Sequence, residues 1–221
     1  EAVQATQKGE VISSARSYLE AGEIPRRLST PPHYAYLKIA EGCRKRCAFC
    51  IIPTIKGPLR SKTQEQVLKE FRLLLSQGVK EIILIAQDLG DYAKDKGAKG
   101  SSGLVALLQT LLQEPGAFWL RLLYLYPDEI TPELIALMKE DHRLCPYLDM
   151  PIQHVNNAIL RSMRRTTSKE QIVEILQLLR QEIPDVSIRT SLIVGFPGET
   201  EEQFQELLRF VRTHHLEQVG I

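Results

Sequence analysis

The sequence predicts an α/β fold, a partial, open (β/α)6 barrel of the TIM-like kind, on three observations. Past residue 33, short apolar runs alternate with longer segments of helical period, the pattern of βα units around a parallel sheet. The unusual polar residues fall just after the candidate strands, where a barrel collects its ligands on one rim. The first strand is followed by a cysteine loop, where a doubly wound sheet would carry a Gly-rich phosphate turn.

Each element has its own signal. Glu10 to Ala21 reads as a short helix stopped at Gly22, and Pro25, Pro31 and Pro32 bracket an extended stretch. Residues 1–32 are therefore expected to be a linker from a preceding domain, and residues 33–221 the barrel domain. Candidate strands cover 35–40, 81–86, 119–124, 147–150 and 186–194, each with a helix after it. Ser61 with Gln64 fits a capping box ahead of the stripe Val67, Phe71, Leu74 and Leu75, which Gly78 ends. Thr131 and Pro132 suit an N-cap and first helical position. Ser168 with Gln171, and Thr200 with Gln203, repeat the box. The chain opens without Met and closes on Leu216-Glu-Gln-Val-Gly-Ile221, which reads as the start of a sixth strand. It is expected to be a piece of a longer protein, truncated near that strand.

Composition excludes several classes. With 221 residues, 43% hydrophobic and 25% charged, the chain is in the ordinary globular range, without the bias of a disordered segment. Lys and Arg number 28 against 27 for Asp and Glu, so no basic excess advertises nucleic acid. No apolar run is long enough to span a bilayer, and no signal peptide opens the sequence, so no membrane partner is expected. Three of the four cysteines cluster like metal ligands, which points to a reducing cytoplasm and not to a disulfide framework.

Those three, Cys43, Cys47 and Cys50, form a C-x3-C-x2-C loop with no nearby fourth. Three thiolates on one short loop can hold three irons of a [4Fe–4S] cluster and leave the fourth iron open. Zinc sites of this kind want four protein ligands and redox pairs want two cysteines, so a zinc knuckle or a thioredoxin-like pair is the bland alternative.

Neighbouring strings carry a resemblance. Leu37-Lys-Ile-Ala-Glu-Gly-Cys43, Cys47-Ala-Phe-Cys-Ile-Ile-Pro53, Lys56-Gly-Pro-Leu-Arg-Ser-Lys62 and Ile193-Val-Gly-Phe-Pro-Gly-Glu-Thr200 look like the methylthiotransferase branch of the radical S-adenosylmethionine (SAM) superfamily. Ile85-Ala-Gln-Asp88, Tyr124-Leu-Tyr-Pro-Asp128 and Tyr147-Leu-Asp-Met-Pro-Ile-Gln-His154 are most similar to the type that modifies an aspartate of a small-subunit ribosomal protein. The tRNA-modifying sister type, the alternative, usually reads Gly-Gln-Asn at 86–88. A zinc-stabilised binding module is the distant alternative. The resemblance covers about residues 33 to 221.

The resemblance implies the partial barrel of radical SAM enzymes and an open iron that chelates SAM. Reductive cleavage would give a 5′-deoxyadenosyl radical, chemistry of the cofactor for which the protein supplies position and shielding. It implies transfer of a methylthio group to the β-carbon of an aspartate, an electron donor such as flavodoxin or ferredoxin, and a second [4Fe–4S] cluster in an N-terminal domain. Phe49 would cover the cluster and touch adenine, with a core aromatic as its alternative. Gln87 and Asp88 would face the methionine end of SAM, although Asp also suits a plain turn into a helix. Arg189, charged within an apolar strand, would pair either with the SAM carboxylate or with Asp149. Gln153 and His154 would hold the ribose or line the substrate entrance with Tyr126, although a lone His is more often structural. Gly195 and Gly198 would allow close backbone approach, or only a tight turn. Arg44, Lys45 and Arg46 would offset thiolate charge, or form only a solvated loop face. Lys56 and Lys62 replace arginines common in the family and lose the forked hydrogen bonding.

Overall fold

Apolar residues at every second position of the strands build the sheet. Leu37, Leu84, Leu122, Leu148 and Ile188 stand in one continuous cross-strand row, and all are fully buried. Each such side chain contributes about 1.5–3 kcal/mol by leaving water. The structure is a computed structural model that describes residues 28–221. The connector expected over 1–32, including the helix from Glu10 to Ala21, falls largely outside the described residues.

Strand β1 (Tyr34–Lys38) leads to a two-residue β2 (Ala40–Glu41), the cysteine loop, a short α1 (Ile52–Lys56) and β3 (Arg60–Ser61). There follow α2 (Gln64–Ser76), β4 (Glu81–Ile85), α3 (Ser102–Leu112), β5 (Trp119–Leu122), α4 (Pro132–Glu140) and β6 (Leu144–Asp149). The chain continues through α5 (Asn157–Ser162), α6 (Lys169–Glu182), β7 (Ser187–Ser191), α7 (Glu201–His214) and β8 (Gln218–Gly220). The main sheet is ordered β1-β4-β5-β6-β7-β8, with every pair parallel. β1 and β8 are its two edges, so the (β/α)6 barrel is open, and the expected sixth strand is present. The opposite face mixes polar and apolar side chains: Glu81 bonds Arg121 at 2.5 Å, Arg121 lies 4.8 Å from the Tyr147 ring centre, and Ile83 stands in register with Arg121. An open interior lined this way leaves room for ligand.

Helix starts follow the side-chain caps. Thr131 caps α4, and Ser168/Gln171 and Thr200/Gln203 form complete capping boxes on α6 and α7. One expectation is corrected: the box on α2 is Thr63 with Gln66, not Ser61 with Gln64. Ser61 is unavailable because it pairs with Ala40 in the β2/β3 clip and its hydroxyl accepts from the Ala93 N–H at 2.9 Å. β6 starts three residues earlier than expected, through Cys145 and Pro146. The missing Pro N–H coincides with a register irregularity against β5.

The antiparallel β2/β3 clip closes the cysteine loop at its base. There the Cys43 N–H donates to the Gly57 carbonyl at 3.3 Å. Gly42 has φ +76°, and a Cβ on it would lie 2.2 Å from the Pro58 oxygen. Gly57 also has positive φ (+74°) but open space around it. Gly57→Ala should therefore cost only backbone strain, about 1–3 kcal/mol. Gly42→Ala adds a backbone clash and should lower the melting temperature further and impair iron incorporation. Thermal unfolding of the two variants side by side measures the difference, and equal losses would show that the clip can relax.

Candidate cluster and cofactor site

Cys43, Cys47 and Cys50 open onto one cavity of about 350 Å³, together with Lys45, Ile52, Ala86, Gln87, Tyr124 and Tyr126. The elements that deliver them are the loop after β2 and the C-terminal ends of β4 and β5, so the site sits on the rim expected for a barrel. Two residues at this rim have left-handed backbone, Tyr124 (φ +64°) after β5 and Gln153 (φ +68°) after β6. Such strain in non-Gly residues concentrates where a site needs it. All three thiols are free, but their settings differ: Cys47 is buried, Cys43 is half-buried and Cys50 is exposed. Burial, with help from the Asp88 and Asp91 charges, pushes the Cys43 thiol up.

A buried ionic network supports the loop from below. Lys45 Nζ lies 3.2 Å from Asp88, 3.3 Å from Glu129 and 3.8 Å from Asp128, while Lys94 bonds Asp91 at 2.8 Å and Glu129 at 2.6 Å. Asp88, Asp91 and Glu129 bring their ligand atoms within 4.8 Å of one another. Burial pushes Asp88 up to about 7 despite Lys45, and the surrounding carboxylates hold the Lys45 ammonium firmly charged against its own burial.

Gln87 lines the cavity, and its buried Oε1 has no hydrogen-bond partner among the described residues. Phe49 is 40% exposed beside the cysteines, which removes the core-aromatic alternative. Asp88 does serve the turn: its Oδ1 accepts from the Gly90 N–H at 3.1 Å and caps the 3-10 turn Leu89–Asp91. Asp149, at the end of β6, and Arg189, in the middle of β7, stand opposite in register and pair at 3.2 Å, the internal alternative. The Arg189 side chain nevertheless keeps 38% of its surface exposed, and Asp149 keeps a buried oxygen without a hydrogen bond.

His154 takes its structural alternative and not the rim reading. It is fully buried, takes the Asn156 N–H on Nδ1 at 2.9 Å and meets Glu199 through Nε2 at 3.1 Å. The other Glu199 oxygen accepts from the N–H groups of Gly195 (2.5 Å) and Phe196 (3.1 Å). His154 thus braces the turn in which Gly195 holds φ +71°, and does not face a ligand. Lys62 is likewise structural: it is buried in an ion pair with Glu70. Lys56 pairs with Glu41 at 3.2 Å.

Sequence reasoning missed Arg165. It lies on the connector between α5 and α6, 7% exposed, with Nη2 donating to the Pro151 carbonyl at 2.5 Å. Nη1 stands 3.9 Å from Cys47 Sγ, and the guanidinium lies 3.9 Å from the Tyr126 ring centre. Tyr126 in turn places its hydroxyl 3.5 Å from the same sulfur. The only prior signal was a pair of arginines, Arg164 and Arg165, in a loop, which ordinarily reads as a solvated face.

The chain matches the model of the Radical SAM superfamily over residues 37–211. It is 78% identical over 220 residues to the "Ribosomal protein uS12 methylthiotransferase RimO" of Protochlamydia amoebophila, covering 100% of this chain and 46% of the relative. The protein of the same name from Chlamydia abortus is 64% identical, covered to 48%, and that of Pelotomaculum thermopropionicum is 46% identical over 211 residues, covered to 47%. The chain spans about half the length of the curated relatives it matches. Among solved structures, the radical S-adenosylmethionine methyltransferase TsrM from Kitasatospora setae aligns with TM-score 0.70 at 16% identity, over 89% of this chain and 39% of that one. Coproporphyrinogen III oxidase (HemN) from Escherichia coli aligns with TM-score 0.56 at 20% identity, over 86% and 44%. These likenesses show the same fold, and with the superfamily match running from within β1 to within α7, the chain belongs to the radical SAM superfamily.

Proposed function

We propose that this chain is the catalytic barrel of a methylthiotransferase that modifies the β-carbon of an aspartate in ribosomal protein uS12. The observation that carries the reading is the 78% identity, maintained over the whole chain, to a protein bearing that activity in its name. In the proposed arrangement residues 33–221 form the barrel and residues 1–32 connect it to a preceding part. The remaining half of the relatives' length would supply a second [4Fe–4S] cluster and the surface that docks the ribosomal protein.

The residues present fit a three-cysteine [4Fe–4S] cluster and SAM. Three free thiols share one cavity, with Lys45 and Arg165 close enough to offset their negative charge. A tetrahedral zinc would draw its thiolates to about 3.8 Å from one another. Among the described residues, however, the ligand atoms gathered within 4.8 Å are those of Asp88, Asp91 and Glu129. When bound, the cluster and SAM supply one-electron cleavage of a carbon–sulfur bond.

The chain's own residues bind and orient. Cys43, Cys47 and Cys50 hold the cluster, and Phe49 shields it from water. The unpaired Gln87 Oε1 is suited to accept from an ammonium, and Arg189, already paired with Asp149, offers its exposed edge to a carboxylate. Gln153 and the Gly195–Gly198 turn, braced by His154 and Glu199, present backbone at the rim for the nucleoside. Tyr126 and its neighbours on the rim face the entrance for substrate. An electron donor such as a flavodoxin or ferredoxin completes the system. No helix among the described residues is long and apolar enough to cross a membrane.

The test offers the full-length protein, loaded with iron and sulfide and supplied with SAM and reductant, both uS12 and tRNA. Mass spectrometry should show methylthiolation of uS12 alone. Modified tRNA with unmodified uS12 would overturn the substrate reading in favour of the tRNA-modifying type.

A further inference from the structure

We propose that Arg165 and Tyr126 are positioning residues for Cys47: both donate hydrogen bonds to its thiolate and thereby favour the reduced state of the cluster it holds. The proposal rests on the reading that Cys43, Cys47 and Cys50 carry a [4Fe–4S] cluster. Arg165 is a buried cation without a carboxylate within ion-pair distance among the described residues. Its contacts are the Pro151 carbonyl, the face of Tyr126 and Cys47 Sγ. A buried guanidinium is stabilised by a counter-charge; Pro151 offers it only a carbonyl and Tyr126 only its ring face, whereas Cys47 bound to a metal would offer a thiolate. A thiolate bonded to iron would satisfy it, whereas a neutral thiol would not.

The placement is built into the fold. The Ala48 N–H, next to Cys47, donates to the Met163 carbonyl at 3.0 Å, and Arg164 then turns the connector through a left-handed conformation (φ +58°). Arg165 thus arrives under the middle cysteine on a connector that the cysteine loop itself holds. Tyr126 is clamped on its ring by the Arg165 guanidinium at 3.9 Å and the Lys45 ammonium at 4.2 Å, and its hydroxyl is left beside the sulfur. Cys50 is exposed and Cys43 accepts only the backbone N–H of Lys45, at 3.4 Å. The donors are therefore concentrated on one of the three sulfurs. Hydrogen bonds and positive charge at the sulfurs stabilise the extra electron and raise a cluster's potential.

The test is a redox titration of the anaerobically reconstituted chain, followed by electron paramagnetic resonance, with iron and sulfide content measured on every sample. Tyr126→Phe keeps the ring and both cation contacts and removes only the hydroxyl. Arg165→Gln removes the charge, Arg165→Lys restores it without the fork, and exposed Arg164→Gln is the control. Arg165→Gln should retain a full cluster and lower the reduced-to-oxidised ratio at fixed poise about tenfold, equivalent to about 59 mV for a one-electron couple. Tyr126→Phe should shift it the same way by less, Arg165→Lys should recover part of the loss, and Arg164→Gln should leave it unchanged. Full clusters with unshifted potentials in both Tyr126→Phe and Arg165→Gln would overturn the proposal. If Arg165→Gln does not fold, Tyr126→Phe decides alone. A wild-type chain that takes up no cluster would instead sink the underlying ligand assignment.

Discussion

Cys43→Ala, Cys47→Ala and Cys50→Ala should each abolish the cluster, whereas Cys145→Ala should retain full iron and sulfide with an unchanged absorption spectrum. The three cysteines share the rim cavity and no other thiol reaches it. Cys145 lies four residues before the rim end of β6, about 13 Å down the strand at 3.3 Å per residue, beside Arg121 and Glu81 at the other end of the barrel. Losing one of the three ligands would leave two of the four irons without a protein ligand, too few anchors to hold the cluster on one short loop. Elemental analysis of the four variants gives the answer, and loss of iron from Cys145→Ala would defeat the three-ligand assignment. Zinc in place of iron, at one equivalent per chain, would instead restore the binding-module alternative.

What the sequence disclosed and what it hid separate along physical lines. Elements whose signal is local were readable. The capping boxes at Ser168 and Thr200, the Thr131-Pro132 helix start and the apolar runs of β1, β4, β5 and β7 all express the interactions that form them. The cysteine spacing was readable because it is local to one loop, and the three thiols open onto one cavity. Two-residue strands such as β2 and β3 have no periodicity to detect, so the clip was invisible and the cap of α2 was assigned two residues early. Long-range polar contacts were equally silent. Lys45 meets Glu129 and Arg165 meets Cys47 across 84 and 118 residues of sequence, and nothing local marks either pair. His154 shows the converse: its position at a strand end suggested a ligand, but complete burial against Glu199 made it a brace. Only tertiary packing distinguishes the two.

Residues 1–221 on their own should cleave SAM slowly to 5′-deoxyadenosine and methionine under a strong reductant, and should transfer no methylthio group to uS12. The chain has four cysteines, of which three line the rim cavity and Cys145 stands apart in β6, so it cannot supply three ligands to a second cluster. The barrel, by contrast, gathers the thiols and the unpaired Gln87 oxygen in one rim cavity and carries the Asp149–Arg189 pair on β6 and β7. Under the proposed function, generation of the abstracting species would need only those groups, while sulfur insertion would need a sulfur held elsewhere. The two activities should therefore part company: chromatography follows 5′-deoxyadenosine, and mass spectrometry of the ribosomal protein follows the product. Adding back the full-length protein should restore transfer without a large change in the rate of SAM cleavage per cluster. Methylthiolated uS12 produced by the 221-residue chain alone would mean that one cluster suffices for both steps, and the proposed division between barrel and partner domain would fall.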